Sequence, residues 1–162
     1  MEKIHYLYIG IMLFCVMMSA YFSATETAFS SLNRTKIRTL VEKGNKKAKL
    51  VNKLLDNYDS LISTILIGNN IVNIAGASLG TVLFVDLMGN IGATVSTAVV
   101  TVVVLIFGEI TPKSIAKDNP EKFSMFSAPL IRTLIFFFTP LNLIFSGRKK
   151  RISKKFLVES VN

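Results

Sequence analysis

Between residues 61 and 85 the chain carries no charged side chain, yet the middle of that run holds Asn69, Asn70 and Asn73. A helix of about 20 apolar residues crosses the hydrocarbon core of a bilayer, so the run is long enough to span. Asparagines at such a depth are costly unless protein groups, water or an ion satisfy them. Polar side chains on spanning helices usually face the bundle interior and often mark a pathway. At 3.6 residues per turn, Asn69 and Asn73 share one helix face, with Asn70 beside them. Gly76 and Gly80 follow as a GxxxG pair. That spacing lets membrane helices approach closely, either between two copies of the chain or within one.

Two further uncharged runs, at residues 6–24 and 91–107, make the class an all-α integral membrane protein. A mature secreted domain is excluded by the same runs. The first is too long for a signal-peptide core and lacks a clear cleavage site, so it stays in the fold. The formal charge of +9 does not suggest a nucleic-acid binder, because the bases cluster beside the apolar runs. The single cysteine, Cys15, sits inside an apolar run and the single histidine is His5. Zinc hydrolysis and Ser/His catalysis therefore lack their usual parts, and no enzyme is expected.

The first span is expected to continue through residues 25–32, long and tilted or projecting from the membrane. It carries Ser23, which alone reads as a hydroxyl bonded to the carbonyl one turn back, and Glu26, at the interface or inside the bundle. Residues 34–53 hold eight bases and one acid, Glu42, on apolar residues at helical spacing. They are expected to form two short amphipathic helices, divided at Gly44-Asn45, on the inner membrane face. Their lysines set topology and touch anionic lipid. The N-terminus is then outside and the C-terminus cytoplasmic. Residues 86–90 make a short outer turn, and 91–107 return inward to Pro112, which should kink or end the helix.

The last apolar stretch, residues 123–145, has bases at both ends, Arg132 within, and Pro129 and Pro140 to break it into short pieces. It is expected as inner-leaflet helices or a re-entrant hairpin wrapping the bundle, with a fourth span as the alternative. Residues 1–147 would be one membrane domain and 148–162 a basic cytoplasmic linker.

Measured from inner-surface markers at Arg34 and Ser60, Ser23 lies roughly 16 Å deep and Asn70 roughly 15 Å. Glu109 stands only about 6 Å above Lys113, and reaches that level only if it extends upward or its helix continues past Pro112. Ser23, Asn69, Asn70, Asn73 and Glu109 would together supply hard oxygen ligands, which suit Mg²⁺ or Ca²⁺. With so few charges, such a site must keep water or offer backbone carbonyls, for instance where a helix loosens near Gly68 or Gly108.

FSATETAFSSLNRTKI at 22–37, LIGNNIVNI at 66–74 and GEITPKSIA at 108–116 resemble, in order, the signature segments of the cyclin M/CorC magnesium-transporter membrane domain. The resemblance covers nearly the whole chain. It implies a homodimer in membrane lipid, with three spanning helices per subunit and an inner-leaflet belt helix. It also implies Mg²⁺ export coupled to Na⁺ entry through an inward-facing acidic cavity. The implied ligands are Ser23, Asn70 or Asn73 or both, and Glu109, with Asn69 contributing through its backbone. Relatives carry a cytoplasmic pair of CBS domains, a partner expected beyond Asn162, so their ATP binding is absent from these residues. Two other classes share these residues: a membrane anchor and ion sensor signalling to such a domain, and a purely structural role for the asparagines.

Overall fold

The computed structural model describes the backbone of residues 2–161 and the side chains of residues 2–141, 143, 144, 157 and 158. Among these residues there is no strand. The long helices are α1 (Lys3–Ser31), α4 (Tyr58–Met88) and α7 (Pro120–Val161). Shorter ones are α2 (Arg34–Glu42), α3 (Lys46–Leu55), α5 (Gly92–Val103) and α6 (Thr111–Asp118). Three stretches are long and apolar enough to cross a membrane: Lys3–Ser31, Tyr58–Asp118 and Pro120–Leu141. The second folds back on itself at Gly89, whose φ of +76° suits glycine. It therefore makes two antiparallel passes, α4 and then α5 to α6. With α1 they form an all-α membrane bundle of three antiparallel passes.

The turn at Gly44, with φ +87°, divides α2 from α3 as its sequence suggests. Asparagine side chains cap both helices. Asn33 accepts from the amides of Thr35 and Lys36 at 2.9 and 3.3 Å, and Asn45 from that of Ala48 at 3.1 Å. The apolar faces of the two basic helices then close the bundle at one end. Ile37, Ala48, Val51 and Leu54 pack there against Phe22 and Phe29 of α1, Leu61 and Ile65 of α4, and Ala128 and Ile131 of α7.

Pro112 neither ends its helix nor stands alone as a kink. The chain stays helical from Gly92 to Asp118, but Val104–Ile110 widens into a π-helix. Proline has no amide hydrogen to give the carbonyl four residues back, here Gly108, and its ring crowds that carbonyl. A wider turn relieves both effects.

Pro129 and Pro140 do not break α7 either, which corrects the expectation of short pieces or a re-entrant hairpin. Pro129 is exposed, so its ring lies off the packing face, on which Ser124, Ser127, Ala128 and Ile131 recur at helical spacing. Thr133 and Thr139 hydroxyls bond the carbonyls of Pro129 and Ile135 at 3.1 and 2.7 Å. α7 starts beside the α1–α2 corner, where Glu121 accepts from the Asn33 amide at 3.1 Å. Tyr21 then donates to the Ser127 carbonyl at 2.9 Å. The expected linker at 148–162 has helical backbone up to Val161, and its basic side chains lie outside the described residues.

The GxxxG pair packs inside one subunit. A Cβ on Gly76 would lie 3.4 Å from Cys15 of α1, and one on Gly80 would lie 2.8 Å from Val100 of α5. The small residues are used to close the three passes on one another.

Candidate functional site

Polar groups of α1, α4 and the π segment approach one another inside the bundle. The Ser19 hydroxyl donates to Asn69 Oδ1 at 3.0 Å, and Asn73 Nδ2 donates to the same oxygen at 3.4 Å. Asn69 is thus the centre of a small network joining α1 to α4. Ser19 is fully buried and Ser23, one turn further along the same face, is 1% exposed. Thr25 and Ser30 of α1 bond the carbonyl one turn back at 2.7 Å. Among the described residues Ser23 makes no such bond, so its hydroxyl is not tied to its own helix.

Two glycines set the spacing around this network. A Cβ on Gly68 would lie 2.5 Å from the Phe22 ring, and one on Gly108 would lie 3.1 Å from the Ser19 hydroxyl. Their bare backbones let α4 and the π segment come up against α1, one residue before Asn69 and one before Glu109. The loosening expected near Gly108 is present as the π segment. Such segments often occur at functional sites. Glu109, half-buried, stands in it.

Because the helix continues through Pro112, the depth of Glu109 changes. It lies nine residues before Asp118, about 14 Å along the axis. Ser23 lies about 12 Å from the end of α1, and Asn69 about 17 Å from the start of α4. All three ends are on the basic side of the bundle, so the three elements carry their oxygens at comparable levels. Asn70 is the exception: it is exposed on α4, turned away from Ser19 and Asn69.

Ser19 was missed in reading the sequence. Its signal was the four-residue spacing to Ser23, which puts two hydroxyls on one face of a spanning helix.

The donor set is one carboxylate with neutral hydroxyl and amide oxygens. Among the described residues, no three or more His, Cys, Asp or Glu side chains gather into a site. A soft metal is therefore poorly served, whereas a hard cation that keeps part of its water is compatible with these groups. Beyond Asn73, on the side of the Gly89 turn, lies a cavity of about 80 Å³. Its lining is apolar apart from Asn73, and includes Met12, Cys15, Val100 and Val103. The polar network thus gives way to apolar side chains.

Charge separates the two ends. Arg34 to Lys53 and Lys113 to Lys122 lie at the end where α2 and α3 pack. The opposite end holds His5, whose Nε2 is 3.7 Å from Asp86 Oδ2.

Comparison with known proteins fits this architecture. The profile of the cyclin M transmembrane N-terminal domain matches residues 10–162. A UPF0053 protein of Haemophilus influenzae is 44% identical over 131 residues, covering 81% of this chain and 31% of that protein. The UPF0053 inner membrane protein YfjD of Escherichia coli is 46% identical over 123 residues, 76% of this chain and 29% of its own length. A polyamine export protein of Salmonella typhimurium is 26% identical over 163 residues, 92% of this chain and 36% of that protein. The chain spans about a third of the length of these curated relatives.

Proposed function

The chain belongs to the cyclin M transmembrane domain family, and on that premise we propose that it transports Mg²⁺ across the membrane, exporting it from the cytoplasm with Na⁺ entry as the coupled step. The observation that carries the proposal is the meeting of Ser19, Asn69, Asn73 and the π segment bearing Glu109 within the bundle, with Ser23 buried one turn from Ser19. Glu109 supplies the negative charge. Ser23 and the amides supply neutral oxygens, and the widened turn makes backbone carbonyls available. Mg²⁺ gives up water reluctantly, so a site with one carboxylate suits an ion that keeps part of its shell. Asn69 Oδ1 is held by two donors here; an ion displaces them, and the α1–α4 contact then loosens. That exchange links occupancy to helix movement. The apolar side chains around the cavity beyond Asn73 keep ions from the far side until the helices move. Asn70, exposed on α4, joins the site only in another conformation or across a second copy of the chain.

The basic end is the cytoplasmic one on the positive-inside rule, which puts the N-terminus outside. The functional unit we propose is a homodimer in lipid that works with a cytoplasmic CBS-pair domain, as the family resemblance implies.

The name of the Salmonella relative favours a second reading, export of an organic polycation. A polyamine carries several spaced ammonium groups and is best matched by several spaced carboxylates, so the single Glu109 favours Mg²⁺.

The test is flux from proteoliposomes loaded with a Mg²⁺-sensitive dye, with and without a Na⁺ gradient, using the native chain and Glu109→Gln. The expected result is Na⁺-dependent Mg²⁺ flux, reduced at least about tenfold in the variant, with an unchanged elution profile. Spermidine flux without Mg²⁺ flux would establish the second reading. Mg²⁺ binding without flux of either cargo would make the chain a membrane-anchored ion sensor.

A further inference from the structure

Three adjoining grooves run along the seam between α7 and its neighbours at the basic end. The first, of about 520 Å³, lies over Leu40 and Met125 and is rimmed by Lys36 of α2 and Lys122 of α7. The second, of about 270 Å³, shares Asn119 and Lys122 with the first and passes over Ile115, Phe123 and Phe126. The third, of about 380 Å³, shares those last three residues and continues into the bundle between Ala20, Ala24 and Phe107. Polarity therefore falls along one path, from a basic mouth to a mostly apolar end.

The mouth is built for an anion. Lys36 and Lys122 are both exposed, and among the described residues neither is in an ion pair. The one acid on the rim, Glu121, has its Oε1 on the Asn33 amide at 3.1 Å, and against its charge the two lysines leave the mouth net positive. The tail is built for hydrocarbon: Ile115 is 60% and Phe126 70% exposed along the groove. An amphiphile with an anionic head matches both halves, and basic pockets on the cytoplasmic side of membrane proteins bind such headgroups.

We propose that this path is a binding site for one anionic phospholipid. Its phosphate lies between Lys36 and Lys122, and an acyl chain follows Ile115, Phe123 and Phe126 towards Phe107. This is a seat on named residues, apart from the diffuse attraction of the α2 and α3 lysines for a charged surface. The far end of the chain touches Phe107 and Thr111, in and next to the π segment.

The experiment is native mass spectrometry of the purified chain in detergent. Phosphatidylglycerol is titrated against phosphatidylcholine of the same acyl chains. The native chain should retain phosphatidylglycerol selectively. Lys36→Gln/Lys122→Gln should bind it about tenfold more weakly, while Lys46→Gln/Lys47→Gln, which removes equal charge from exposed positions on α3, should bind as the native chain does. Phe126→Ser should weaken retention of both lipids. Excess inorganic phosphate should not displace the lipid. The proposal is overturned if the first double variant binds like the native chain, if the second loses as much, or if the two lipids bind equally. Displacement by phosphate would make the mouth a site for the free anion and overturn the lipid assignment.

Discussion

One methyl group is enough to probe how closely α4 approaches α1 beside Asn69. Gly68 has no room for a side chain, because its Cβ would meet the Phe22 ring at 2.5 Å and Phe22 is itself 2% exposed. Gly68→Ala should destabilise the chain by about 1–3 kcal/mol, the usual range for overpacking. Thermal unfolding in detergent measures this, and Phe22→Leu in the same background should recover much of the loss. Ser19→Ala tests the network from its other side. It leaves Asn69 without one donor, and interhelical hydrogen bonds of this kind are worth about 0.5–2 kcal/mol in membranes. A small drop in melting temperature with a larger change in Mg²⁺ flux would separate the ion site from the packing. No change in either measurement would remove Ser19 from the site. At this scale the sequence was informative about the asparagines, because an amide in an apolar run must have a reason. It was weaker about Ser19, whose spacing to Ser23 was the one signal, because a hydroxyl in a helix can bond its own backbone at little cost.

At the scale of elements, the prolines carry the lesson. A proline in a periodic apolar run reads as a break, because both the lost amide and the ring oppose the helix. Here Pro112, Pro129 and Pro140 all lie inside continuous helix, and only Pro120 stands at a helix start. Pro112 instead loosens the turns before it, and so places Glu109 nearer the level of Asn69 than its distance from Lys113 suggests. The sequence contained the cause, a proline four residues after Gly108, but the choice among break, kink and widened turn depends on packing against α1. Pro112→Ala restores an amide for the Gly108 carbonyl. Removing the extra residue of a π turn would rotate everything beyond it by roughly 100° about the axis, swinging Glu109 relative to Ser19 and Asn73. The expected outcome is equal or higher thermal stability with Mg²⁺ flux largely lost. Flux at the native level would show that the widened turn has no part in transport.

For the whole molecule, charge asymmetry and pass count must agree, and they can be tested together. Uncharged run lengths made α1, α4 and α5 legible as spans, and the bases of α2 and α3 marked one end. What could not be read was how those elements close on one another. The core at the basic end is assembled from five helices far apart in sequence, and its partners are chosen by shape rather than by pattern. The single pass of α4 between the two turns requires Gly44-Asn45 and Gly89-Asn90 to lie on opposite sides of the membrane. Both asparagines are exposed at turns; replacing Asn90 disturbs no packing, and replacing Asn45 removes the cap bond to the Ala48 amide at a cost of about 1 kcal/mol. Cys15 is the only cysteine, 6% exposed against the apolar cavity. Cys15→Ser therefore gives a blank background for Asn45→Cys and Asn90→Cys. With a membrane-impermeant maleimide added to intact cells, Asn90→Cys should label and Asn45→Cys should not, the second reacting only after lysis. The reverse pattern would invert the chain and put the basic end outside, against the charge rule and the proposed direction of export. Labelling of both in intact cells would put the two turns on one side, and α4 would then no longer be a single span.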